Sequence, residues 1–104
     1  MHRVAFKMQL QKGFEEEYAR RHQQIWPELA QLLHESGIED YSIFLDETTL
    51  ALFGVLKIRD KTLLDKLPAS LVMQRWWAYM KDIMESHPDH SPVSVPLKEV
   101  FYLP

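Results

Sequence analysis

Leu50-Ala51-Leu52-Phe53-Gly54-Val55-Leu56-Lys57-Ile58 decides the fold. It is an apolar run of strand length, flanked by Thr48-Thr49 on one side and Arg59-Asp60 on the other. A strand that is apolar all along its length sits mid-sheet with both faces covered. Its pleat divides the side chains into two sets. Leu50, Leu52, Leu56 and Ile58 share one face, and Ala51, Phe53 and Val55 share the other. Helices of the same chain can cover one set, so something else must cover the second.

Working outward, residues 40–46 (Asp40-Tyr41-Ser42-Ile43-Phe44-Leu45-Asp46) read as a strand leading into the short loop Glu47-Thr48-Thr49. At the start of the chain, residues 3–10 alternate, with Val4, Phe6, Met8 and Leu10 opposed to Arg3, Lys7 and Gln9, which marks a half-buried strand. Gln11-Lys12-Gly13 is a turn, after which the period changes. Phe14, Tyr18, Ile25, Leu29, Leu32 and Leu33 recur at helical steps over residues 14–35. Pro27 lacks an N–H and must kink this helix or restart it near Trp26. Ser36-Gly37 ends it, with glycine in the expected C-terminal place. Residues 60–67 read as a short helix ending at Pro68. Residues 70–84 read as another, with Met73, Trp76, Trp77, Met80, Ile83 and Met84 as its apolar stripe. The three prolines of residues 87–96 define an ordered loop, and residues 98–103 read as the last strand. The order is βαββαβ, an α+β, ferredoxin-like pattern in which an antiparallel sheet carries helices on one face, with strands 1 and 3 central. A second copy packing sheet against sheet is the simplest cover for the other face, so a homodimer is expected.

The 104 residues make one domain. With 46% hydrophobic and 26% charged residues the usage is ordinary globular, and the formal net charge is −3. That balance provides no basic footprint for nucleic acid and no polybasic signal for an anionic membrane. With no cysteine, disulfides, thiolate nucleophiles and Cys-type zinc sites are excluded. No apolar run nears the roughly 20 residues that cross a bilayer, and Met1-His2-Arg3-Val4-Ala5-Phe6-Lys7 does not resemble a secretory leader. A soluble, cytoplasmic protein is expected.

Few residues can carry chemistry. Tyr18 and His22 lie one turn apart on one helix face. A histidine titrates near neutral pH and can move a proton, although the same pair could simply pack in the core. Trp76 and Trp77 point about 100° apart, so that one can pack inward while the other lines a cavity wall. An indole offers a flat π face to sugar C–H groups and an N–H to a hydroxyl, yet two bulky core residues would look the same. Tyr41, at the start of its strand, shares a face with Ile43 and Leu45 and could set its hydroxyl at a pocket mouth, or be a β-forming edge residue. His87 and His90 have a His-x-x-His spacing, but a metal needs three or four ligands of defined geometry and no element here positions the rest, so no metal site is expected. Glu15-Glu16-Glu17 is a solvated first turn favoured by the helix dipole. Gly-rich phosphate loops and nucleotide fingerprints do not occur among three glycines.

Several blocks together resemble the L-rhamnose mutarotase family. They are Ala5-Phe6-Lys7-Met8-Gln9, Arg20-Arg21-His22 followed by Ile25-Trp26-Pro27-Glu28-Leu29, Asp40-Tyr41-Ser42-Ile43, and Trp76-Trp77 with Met80. Pro88-Asp89-His90-Ser91-Pro92-Val93 and the closing Phe101-Tyr102-Leu103-Pro104 complete the set, in order and spanning nearly the whole chain. The resemblance implies a dimeric α+β barrel that binds L-rhamnopyranose and interconverts its α and β anomers without a cofactor. It implies His22 as the proton donor, with Tyr18, Tyr41, Trp76 and Trp77 as substrate contacts. The sequence departs from the pattern at His90 and Asp40, where asparagine is common or occasional in the family. Two other readings compete. One is a monooxygenase, by analogy with other small dimeric ferredoxin-like domains. The other is a non-catalytic binding module whose aromatics only pack.

Overall fold

A computed structural model describes residues 1–104. Its elements are β1 (His2–Gln9), α1 (Glu15–Gln23), α2 (Pro27–Glu35), β2 (Ile38–Leu45), β3 (Ala51–Ile58), α3 (Thr62–Lys66), a 3₁₀ turn (Leu67–Ala69), α4 (Leu71–Met80) and β4 (Val95–Leu97). The four strands form one antiparallel sheet in the order β2-β3-β1-β4, with β1 and β3 central. This is the ferredoxin-like arrangement that the order of elements implies.

The breaks fall where the chemistry requires them. Pro27 does not kink a continuous helix. It opens α2 at the first helical position, where its missing N–H costs nothing, behind an extended Trp26. Gly37 ends α2 with φ +81°, a conformation that only glycine adopts freely, and its N–H donates to the His34 carbonyl at 2.9 Å.

Two expectations need correction. The last strand is Val95–Leu97, within the proline-rich segment, and residues 98–104 form no regular element. A proline in a strand demotes it to an edge, and β4 is an edge strand, paired only with β1, with Pro96 opposite Phe6. Beyond it Glu99 spends its carboxylate on Arg3 at 3.0 Å, and Tyr102 lies against the same guanidinium. Those side-chain contacts hold the tail in place of ladder hydrogen bonds. The last helix stops at Met80, four residues before the end expected, although Ile83 and Met84 are still buried and Met84 bridges to Leu10.

Register sorts the side chains. Val4, Phe6 and Met8 of β1 stand opposite Leu56, Gly54 and Leu52 of β3, and all face the helices. Leu52, Leu56 and Ile58 are buried there with Leu29, Trp76, Met80, Ile83 and Met84. The opposite face carries Phe44 beside Phe53, and Ser42, Val55, Ala5 and Leu97 in one cross-strand row. No helix of the chain covers it, and Phe44 stays 61% exposed.

Candidate active site

A cavity of about 910 Å³ opens between the helices and the covered face of the sheet. That volume lies in the usual range for small-molecule pockets and is roomy for a monosaccharide. Tyr18, His22, Tyr41, Trp76 and Trp77 all line it, so the structure brings these five into one wall system.

Helical spacing does the first part of the assembly. Tyr18 and His22 are one turn apart on α1, and their rings stack with centroids 4.3 Å apart and planes 30° apart. Trp76 of α4 meets the His22 ring edge-on at 5.4 Å and 88°. Trp76 is itself fixed by Trp26 at 5.1 Å and Tyr79 at 5.6 Å, so it is a core residue and a cavity wall at once. Trp77, half-buried on the adjoining face of α4, lines the same cavity. Tyr41 enters from the sheet side, with its ring edge-on to Phe6 at 6.2 Å.

The hydrogen bonding of His22 defines which nitrogen is available. Its Nδ1 lies 3.0 Å from the Tyr18 carbonyl. A carbonyl can only accept, so Nδ1 carries a proton and donates it, which leaves Nε2 with the lone pair in the neutral ring. Burial disfavours the imidazolium and lowers the His22 pKa, while the bond to the Tyr18 carbonyl partly opposes the shift. At neutral pH the cavity therefore presents an unprotonated Nε2. Burial also raises both phenols. Tyr41 is pushed up to about 12. Tyr18 moves up as well, through burial and then the nearby Tyr41 hydroxyl. Tyr41 keeps 38% of its surface exposed, so the walls crowd the phenol without sealing it. Both hydroxyls remain protonated and can donate to a sugar oxygen.

Two supports of the wall were not singled out by the sequence. Arg21, next to His22, is buried and bound on every side. Its Nε donates to Glu17 at 2.8 Å, and its other nitrogens donate to Asp82 at 2.9 and 3.2 Å and to the Tyr79 carbonyl at 2.8 Å. It thereby ties α1 to the end of α4 and keeps the His22 and Trp76 rings together. Glu17, paired with Arg20 and Arg21, is held down to about 2, so this member of the acidic first turn is a structural ion and not merely a solvated one. Only the Glu17–Arg21 spacing, one helical turn, hinted at the clamp. The second support is Gly54. A Cβ there would overlap the Phe6 ring, so the absent side chain is what makes room for the ring that Tyr41 meets edge-on. A lone glycine within a strand is the signal for such a close approach. His87 and His90 lie in a turn outside this cavity's lining, where the His90 N–H donates to the His87 carbonyl at 2.8 Å. No group of three potential ligand side chains forms there.

Fold and cavity together define a small ferredoxin-like domain with a cavity of small-molecule size between its helices and its sheet. Comparison with known proteins names the lineage. The family model described as L-rhamnose mutarotase matches residues 3–103. An L-rhamnose mutarotase of Jannaschia sp. (strain CCS1) is 57% identical over 104 residues, covering 100% of both chains. One from Lachnoclostridium phytofermentans is 50% identical over 103 residues, covering 99% of each. The crystal structure of the L-rhamnose mutarotase from Formosa agariphila superposes with a TM-score of 0.94 at 47% identity, covering 100% of both chains. An antibiotic biosynthesis monooxygenase superposes over 96% of this chain and 99% of its own with a TM-score of 0.62. At 13% identity, that likeness is one of fold alone. The chain belongs to the L-rhamnose mutarotase family, whose members are isomerases of carbohydrates.

Proposed function

We propose that the protein interconverts the α and β anomers of L-rhamnopyranose, with His22 moving the proton and Tyr18, Tyr41, Trp76 and Trp77 holding the sugar. The observation that carries this reading is the convergence of these five side chains on one cavity around a histidine with a single free nitrogen.

Mutarotation requires the ring C–O bond to break and re-form on the other face of the anomeric carbon. His22 Nε2 accepts the proton of the anomeric hydroxyl, whose oxygen becomes the aldehyde oxygen as the ring bond breaks. The imidazolium then gives that proton to the departing ring oxygen, which restores the neutral histidine. The aldehyde rotates about its bond to C2, and the same steps in reverse close the other anomer. Atoms and protons balance with one group acting as base and then acid. Positioned acid–base groups typically contribute ~10²–10⁴-fold. Tyr18 and Tyr41 donate to ring hydroxyls, and the indoles pack against the C–H face and the methyl group of the 6-deoxy sugar.

A second copy covers the free sheet face in this reading. The exposed Phe44, Val55, Val95 and Leu97 form a patch that a monomer would leave in water, and sheet-on-sheet packing would bury it. A cytoplasmic setting fits the cysteine-free composition. No helix is long and apolar enough to cross a membrane.

Polarimetry tests the activity. Freshly dissolved crystalline α-L-rhamnose should reach its equilibrium rotation faster with protein, at an unchanged endpoint. L-Mannose, which replaces the methyl with a hydroxymethyl, should be served within about 100-fold, because an apolar wall rejects an added hydroxyl weakly. An unaltered drift with folded protein contradicts the reading.

A further inference from the structure

We propose that Asp40 is a positioning residue, whose left-handed backbone at a bulge in β2 delivers the Tyr41 ring into the cavity. The proposal rests on the reading of Tyr41 as a sugar contact.

Along β2, Ile38 pairs with Ile58 and Glu39 with Lys57, but the next pair is Ser42 with Val55. Asp40 and Tyr41 therefore stand together opposite Leu56, one residue more than the pleat allows. A bulge of this kind resets which face the following side chains take. Ile38 on one side of it and Ile43 and Leu45 on the other all pack toward the helices, which uninterrupted alternation forbids because 38 differs in parity from 43 and 45. Tyr41 belongs to the second set and reaches the cavity only because the extra residue is there. Asp40 absorbs the irregularity at φ +50°, a region that short polar residues tolerate and branched ones do not. Its carboxylate pairs with Lys57 at 3.3 Å with both partners exposed, a contact of little energetic weight. The backbone at position 40, and not the charge, is what acts.

The test uses the full chain carrying Asp40→Gly, Asp40→Asn and Asp40→Val, each also in a Tyr41→Phe background. Asp40→Gly and Asp40→Asn should keep KM and kcat within about twofold, because both residues tolerate positive φ. Asp40→Val should raise KM on the order of tenfold, the loss of one positioned hydrogen bond, with kcat changed less. In the Tyr41→Phe background the same valine should add less than about twofold, because contacting residues are not additive. An equal penalty in both backgrounds overturns the proposal. A nuclear Overhauser contact between the Phe6 and Tyr41 rings reports placement without reference to activity. It should persist in Asp40→Gly and vanish in Asp40→Val, and its survival in the valine variant overturns the proposal too. Should Asp40→Val not fold, Asp40→Ala should show the same changes at smaller size, and an alanine variant that matches wild type in both KM and ring contact overturns it. If Tyr41→Phe alone leaves KM unchanged, the sugar-contact reading of Tyr41 fails, while the ring contact still decides the role of Asp40.

Discussion

On the helix side of the sheet, Leu52 is buried beneath α1, α2 and α4, Leu56 and Ile58 lie beneath α2, α3 and the 3₁₀ turn, and the cavity with His22 opens on that side. On the other side, Phe44, Val55, Val95 and Leu97 lie open, beside a tail held by Arg3. The same strands build both faces, one residue out of phase. A change on the first face falls on the core and the cavity together, because residues such as Trp76 serve both. A change on the second face, away from Arg3 and its tail contacts, leaves the buried core and the cavity untouched. In a domain this small the active site has no wall of its own, and a core residue has to double as one.

The sharpest way to separate the faces is Trp76→Ala. The buried indole contacts His22, Trp26 and Tyr79, so its removal should cost about 3–5 kcal/mol in urea denaturation and diminish the sugar-dependent tryptophan fluorescence change, leaving the part that Trp77 contributes. A loss under 1 kcal/mol would mean that Trp76 is not both core and wall. On the open face, Val55→Lys should leave the fold and the cavity intact. It should convert a dimer to monomer in sedimentation, because an unpaired ammonium would be buried between sheets. A wild-type monomer, or a dimer whose sedimentation coefficient the substitution leaves unchanged, would show that this face is not a dimer contact.

The smallest expected effect is a shift in pH dependence. Burial, partly opposed by the Tyr18 carbonyl, lowers the His22 pKa. The native chain then holds this proton less tightly than the unfolded chain, where histidine titrates near 6.5. Stability is unaffected by His22 above about pH 6.5 and falls as the pH drops below it. The acid limb of kcat/KM should likewise have its midpoint below about 6.5. Tyr41, pushed up to about 12, should cause no loss on the alkaline side before that pH. A midpoint above 6.5 would mean that the imidazolium, and not the neutral ring, is favoured in the cavity.

Most of the helix side could be read in advance, because its determinants are periodic. The change from alternation to helical steps after Gly13, the stop at Gly37 and the apolar run of β3 each follow from a local rule. The pairing of Tyr18 with His22 follows from one helical turn. What stayed hidden depends on register and on long-range partners. Nothing about Asp40 as a residue type announces φ +50°, and the bulge appears only when Ile38 and Ile43 must face the same way. Arg21 looked like part of a polar face, since its exposed partner Asp82 lies 61 residues away. Val95-Pro96-Leu97 looked like loop because of its proline, whose tolerance at a sheet edge depends on which strand has no further neighbour. His90 and Asp40, where this chain departs from the family, both have positive φ, the conformation that asparagine tolerates best after glycine.

His22 is the residue proposed to move the proton, and saturation-transfer NMR on equilibrated L-rhamnose tests that role most directly. Irradiating one anomeric proton in the presence of wild-type protein should transfer saturation to the other anomer. His22→Ala should remain folded by circular dichroism, still quench tryptophan fluorescence with sugar, and lose the transfer by about 10²-fold or more. Transfer at the wild-type rate in folded His22→Ala would contradict the assignment of the proton to this residue.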